Sequence, residues 1–221
     1  MPRLLFVFLL ITFNSSFAQP YHQVVAKKPV SKKILSPLTR YSTEWDKPAY
    51  LICNTAKNAL YMNAKEREVL YILNMMRTNP AFFAKNVLSL YPANSGKGEL
   101  VNMDNYRSLI DTLLKMPAVN ILQPDKLCYA SALCHALNTG VLGLVTHERG
   151  SVECREKRYF NGECIDFGNS EPLEIVMHLL IDEGVPSLGH RYICISSYKV
   201  LGVSIKPYKG YGMMAVLDFH Y

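Results

Sequence analysis

The sequence predicts an α+β domain in which helices cover a small antiparallel sheet. Three observations predict it. Apolar residues from Asn63 to Asp182 recur at helical spacing. From Tyr192 to Phe219 the chain instead breaks into short β-branched and aromatic runs, separated by Tyr-Lys and Lys-Gly turns. Helices therefore come first and strands last, and about 160 ordered residues without an internal repeat suffice for one core.

The chain divides into three parts. Residues 1–18 read as an export signal, with a basic start at Met1-Pro2-Arg3, an apolar run from Leu4 to Phe13, and Ser16-Phe17-Ala18 as a small-x-small cleavage site. That run is shorter than the roughly 20 residues a helical span needs, and no other run is long enough. The expectation is a secreted or periplasmic protein with no stable membrane anchor. Residues 19–61, with four prolines and paired lysines, read as a basic linker or an arm on the surface, with local packing around Trp45. Residues 62–221 form the expected domain.

Within that domain Asn63 and Glu66 make a capping-box pair ahead of Val69, Leu70, Leu73 and Met76. Asn79-Pro80 stops that helix and starts another over Ala81 to Leu90, with Asn79 as N-cap and Pro80 at the first helical position. Ser95 to Gly98 is loop, and Asn105 to Met116 is helical with Leu109, Leu113 and Leu114 inward. Pro124-Asp125 opens a helix from Lys126 to Asn138 with Gly140 as its C-terminal cap, and Ser170 caps one from Glu171 to Asp182. The strands are Tyr192 to Ser197, Val200 to Lys206 and Met213 to Phe219.

Charge argues against nucleic acid as a partner. Six Lys/Arg stand against Glu44 and Asp46 between Gln19 and Pro48, but from Ala49 onward 17 basic residues face 16 acidic ones. The folded part is close to neutral and the basic stretch reads as a solvated linker. Six cysteines in an exported chain imply disulfides, with fifteen possible pairings. A Cys154–Cys164 bridge would staple the loop after His147. Cys128 and Cys134, six residues apart on one helix, cannot bond to each other across about 9 Å of rise, so each has another partner or stays free. Cys194 reads as a disulfide cysteine and not as a nucleophile. Several chemistries lack their signatures: there is no C-x-x-C pair for a thiolate zinc knuckle, no Gly-x-Ser-x-Gly elbow, no His-Glu-x-x-His and no phosphate loop.

Four short pieces carry the polar chemistry: Thr146-His147, Gly162-Glu163-Cys164, Asp182-Glu183-Gly184 and Gly189-His190-Arg191. Each falls at an expected segment end, where groups from several elements can converge on one pocket. With Asn74-Met75-Met76-Arg77-Thr78-Asn79-Pro80, with Leu127-Cys128-Tyr129-Ala130-Ser131-Ala132 before His135, and with the strand around Leu201-Gly202-Val203, these pieces follow a known order. From Asn74 onward the chain resembles the CAP superfamily, the cysteine-rich secretory, antigen 5 and pathogenesis-related proteins (SCP-like), in its short bacterial form. The resemblance implies an α-β-α sandwich and a cavity lined by two histidines and two acids. By motif these are His147, Glu163, Asp182 and His190; Leu-Ile-Asp-Glu stands where the family has Trp-x-x-Glu, and Asp182 is taken over Glu183 as the second acid. Cys164 replaces the family's usual Asn.

Two imidazoles and two carboxylates suit a borderline divalent cation such as zinc, with His147 and His190 as ligands. Without a metal the same groups form a hydrogen-bonded pocket wall. His135 and Glu183 are expected beside the site, and His178 is expected to be structural. The function expected is a secreted binding module for a peptide, lipid or small molecule. The alternative is a metal-dependent, peptidase-like hydrolase with Glu163 as base.

Overall fold

In the computed structural model, which describes residues 35–221, four strands form one sheet in the order β1–β3–β4–β2. They are β1 (Gln123–Pro124), β2 (Gly162–Phe167), β3 (Val200–Pro207) and β4 (Met213–His220). The α-helices are α1 (Pro48–Leu51), α2 (Ala64–Thr78), α3 (Pro80–Asn86), α4 (Tyr91–Ser95), α5 (Asp104–Lys115), α6 (Lys126–Leu142), α7 (Val152–Glu156), α8 (Pro172–Ile181) and α9 (Gly189–Ile195). The expected signal, 1–18, and residues 19–34 of the expected linker lie outside the described residues. Among the described residues no helix is long and apolar enough to cross a membrane.

Strand alternation divides the core in two. Leu201, Val203 and Ile205 of β3 and Ala215, Leu217 and Phe219 of β4 join the larger cluster, with α2, α3, α5 and α8. Met214 and Val216 join a smaller cluster with Ala132 and Ala136 of α6 and Ile165 of β2. The architecture is thus mixed α/β, with helices on both faces of the sheet. Buried polar side chains fix the layers. Asn74 donates to the carbonyls of Cys53 and Leu122 and accepts from Leu122 N. Arg77 donates to the carbonyls of Asn120, Cys194 and Tyr198. Glu66 closes the expected capping box with Asn63 and also accepts from Ile205 N of β3.

Several sequence expectations are corrected. The sheet is mixed, because β1 runs parallel to β3. A strand absent from the sequence reading, β2, pairs antiparallel with β4 from Gly162↔Phe219 to Phe167↔Met214. Residues 192–197, expected as a strand, lie mostly in α9. The Asp182 carboxylate accepts from the first backbone N–H groups there, His190 and Arg191, and this cap overrides the β propensity of Tyr192-Ile193-Cys194-Ile195. Helix α6 continues through Gly140 and ends at Gly143, which takes the left-handed conformation (φ 70°) of a C-terminal cap. Helix α8 is capped at Glu171 with Pro172 at its start, not at Ser170. The expected helix from Ala81 to Leu90 is broken into α3 and a 3-10 turn at Leu88–Leu90, and a separate helix, α4, follows it.

The arm expected over 19–61 is, from Leu35 onward, part of the packed unit. Trp45 is fully buried and packs edge-on against Tyr50 and Phe82. Turn-rich composition concealed a segment whose apolar side chains complete the core. The one disulfide among the described residues joins Cys134 of α6 to Cys154 of α7, so a Cys154–Cys164 bridge is ruled out. Cys53, Cys128, Cys164 and Cys194 are buried thiols.

Helix α6 packs tightly on the sheet at Gly202, where an added Cβ would lie 2.0 Å from Tyr129 N and 2.2 Å from Cys128 C. Those are backbone atoms and cannot step aside as a side chain could. Gly202→Ala is expected to cost about 3 kcal/mol, the upper end for overpacking, and to lower the melting temperature by roughly 6–12 °C. Gly98→Ala, with nothing within 4 Å of the new carbon, is the control and should melt like the parent in the same scan.

Candidate functional site

Strand β2 lies at one edge of the sheet, and successive side chains point to opposite faces. Glu163 pairs with Asp218 on the α6 side, while Asp166 points to the face covered by α8. Loop 143–151 approaches from one side of this edge, and α8 and α9 approach from the other. A cavity of about 250 Å³ remains, lined by His147, His178, His190, Asp182 and Glu183 together with apolar groups that include Ile165 and Phe167. The sequence-predicted His147, Asp182, His190 and Glu183 meet at its wall, and Glu163 stands behind His147.

His147 Nδ1 donates to Glu163 Oε1 at 2.8 Å, since a carboxylate only accepts. The histidine side chain is 60% exposed and the glutamate side chain 2%, so a buried acid orients a solvent-facing ring. Glu163 also accepts from Arg149 Nη2, which is 3.3 Å from Asp218 Oδ2. Burial would raise the Glu163 pKa, but hydrogen bonds from His147 and Arg149 outweigh it and hold the carboxyl down at about 2. Asp218 behaves oppositely: burial and the neighbouring Glu163 charge push its pKa well up. One cation thus serves two buried acids, of which Glu163 holds the charge and Asp218 the proton. His135 is fully buried and its Nε2 hydrogen-bonds the carbonyl of Thr146 at 2.9 Å, fixing the residue before His147.

The second histidine repeats the arrangement. His190 Nδ1 donates to Asp182 Oδ1 at 2.7 Å, while Asp182 Oδ2 accepts from the backbone N–H of His190 at 2.9 Å. Asp182 itself ends α8 with a left-handed backbone, φ 58°. The His147 and His190 ring centroids are 6.3 Å apart. With both Nδ1 atoms engaged, the nitrogen each ring has left for a ligand is Nε2.

A third pair escaped the sequence reading. His178 of α8 lines the same cavity, and its Nδ1 hydrogen-bonds Asp166 Oδ1. Its flanking apolar residues, Met177 and Leu179, suggested a structural histidine. Asp166, Arg149 and Asp218 also went unnoticed. The available signal was strand alternation: Asp166 and Asp218 occupy positions on covered faces of β2 and β4, and a buried carboxylate needs a partner.

A divalent ion would be held by Nε2 of His147 and Nε2 of His190. Carboxylates behind ligand histidines are the usual outer-shell arrangement. Tetrahedral zinc with Zn–N bonds of about 2.0 Å puts two ring centroids about 5 Å apart, so the observed separation needs roughly 1 Å of closure. Among the described residues no group of three or more His, Cys, Asp or Glu is arranged to hold a metal. The residues fit an open two-histidine site and fall short of the three protein ligands of a catalytic zinc centre.

Compared with family models, curated proteins and solved structures, the chain matches none.

The His178–Asp166 pair has a measurable signature. The Asp166 hydrogen bond raises the His178 pKa above its ordinary 6.5 against the opposing effect of burial, with Lys97 opposing and Glu183 assisting by charge. The protonated ring is favoured in the folded state. Its stabilising contribution is therefore complete below pH 6.5 and is lost as pH rises through the raised folded value. In a histidine NMR titration, Asp166→Asn should move the His178 midpoint downward; an unmoved midpoint would mean that the pair is not formed.

Proposed function

We propose that the chain is an exported binding module of the CAP type whose cavity, walled by His147, Asp182 and His190 with Glu163 behind His147, receives a small ligand and can hold a divalent metal such as zinc. One observation carries this reading: two imidazoles, each with Nδ1 tied to a buried carboxylate, face one mostly apolar cavity. The α-β-α layering and the meeting of the motif pieces at that cavity support the CAP assignment. About 250 Å³ is below the roughly 300–1,000 Å³ typical of sites for drug-sized ligands. It suits a small molecule, one peptide side chain or the end of a lipid. Neither a nucleic-acid surface nor a membrane anchor is part of the proposal.

The alternative, a metal-dependent hydrolase, would need Glu163 as general base. A carboxyl held near 2 and already engaged by Arg149 and His147 is a weak proton acceptor at neutral pH. The same geometry suits a positioning residue, so binding is the preferred reading.

Zinc titration by calorimetry near pH 7 tests the cavity directly. Wild type should bind one equivalent, and the His147→Ala/His190→Ala protein should bind none; Glu163→Gln should weaken binding about 10–100-fold, as loss of an outer-shell partner does. If wild type and the double variant behave alike, the two histidines are not a metal site and form a ligand-pocket wall only. Peptide hydrolysis abolished by both chelation and Glu163→Gln would favour the hydrolase.

A further inference from the structure

We propose that Cys164 and Cys194 form a second disulfide site, tying the edge strand that carries Glu163 to the helix that carries His190. After Cys134–Cys154 is accounted for, four thiols remain, all buried. Two of these are in contact. Cys164 follows Glu163 on β2 and points to the face covered by the larger core. Its Sγ donates to the carbonyl of His190 at 3.6 Å. Cys194 lies one helical turn after His190 on α9, so its side chain leans back over that carbonyl. The two thiols are accordingly within hydrogen-bonding reach of each other. Cys53 contacts Thr78 in a different part of the core, and Cys128 lies on α6 on the far side of the sheet.

The chemistry is a two-electron exchange. A small-molecule disulfide accepts the electrons: Cys164–SH and Cys194–SH become Cys164–S–S–Cys194, and the oxidant is released as two thiols. The attacking species is a thiolate. Both sulfurs are fully buried, so the folded reduced protein should react slowly. Oxidation belongs to folding, when both sulfurs are accessible. The bond would close a loop of 30 residues (194 − 164) that contains α8, His178, Asp182 and His190, the elements that supply one whole side of the cavity.

The full-length chain refolded with reduced and oxidised glutathione, alkylated in denaturant and mapped without reduction, tests the site. The expected result is two alkylated cysteines, Cys53 and Cys128, with a linked peptide pair joining Cys164 to Cys194 beside the one joining Cys134 to Cys154. Four alkylated cysteines with Cys134–Cys154 fully linked would overturn the proposal. Cys194→Ser should raise the alkylated count to three by freeing Cys164. The oxidised parent should also melt about 5–10 °C above Cys164→Ala/Cys194→Ala. Equal melting of the two would count against the bond. The mapping on the parent chain decides even if a variant fails to fold, and none of these readouts depends on what the cavity binds.

Discussion

The Asp182 carboxylate is the contact on which the site's geometry most depends. Its own backbone turns left-handed to end α8, one oxygen accepts the first free N–H groups of α9, and the other accepts the His190 ring. A single side chain thus stops one helix, starts the next and orients the imidazole that α9 exposes. The strain of a left-handed aspartate is modest, since Asp tolerates that conformation better than most residues. Next to it Arg191 is buried and donates to the carbonyls of Leu180, Ile181 and Asn105, locking the same corner from inside.

On the opposite wall the constraint is charge. Arg149, Glu163 and Asp218 are each almost wholly buried, and a buried charge is tolerated only with a partner. Glu163 keeps its charge because Arg149 and His147 both donate to it, and Asp218 avoids a second uncompensated charge by holding its proton. Removing Arg149 would strand a buried carboxylate, a loss of about 3–5 kcal/mol in comparable pairs. His147 is thereby held by a rigid acid while its own ring stays mostly in solvent. This combination makes the ring available to a ligand without making it mobile.

Much of this was legible in the sequence where local chemistry decides structure. The Asn63/Glu66 box, the Asn79-Pro80 restart and the C-terminal hairpin are short-range patterns, and the structure has all three. The convergence of His147, Asp182 and His190 followed from motif order, since each lies at a segment end. What stayed hidden depends on distant partners. Strand β2 is short and gains its identity from pairing with β4, more than 45 residues later. Helix α9 reads as β until the Asp182 cap is known. Trp45 sits in a proline-rich stretch whose burial no periodicity announces. His178 looked structural because helix periodicity gave it apolar neighbours, whereas its partner Asp166 comes from another element.

His147 and His190 are held by their Nδ1 atoms so that Nε2 faces the cavity. Long-range proton–nitrogen NMR on histidine-labelled, metal-free protein reads the tautomer of each ring directly, at pH 9 where imidazoles are neutral. Both rings should be in the Nδ1–H form, with Nε2 showing the shift of a bare acceptor. Both rings in the Nε2–H form, or averaged between tautomers as free imidazole is, would contradict this arrangement.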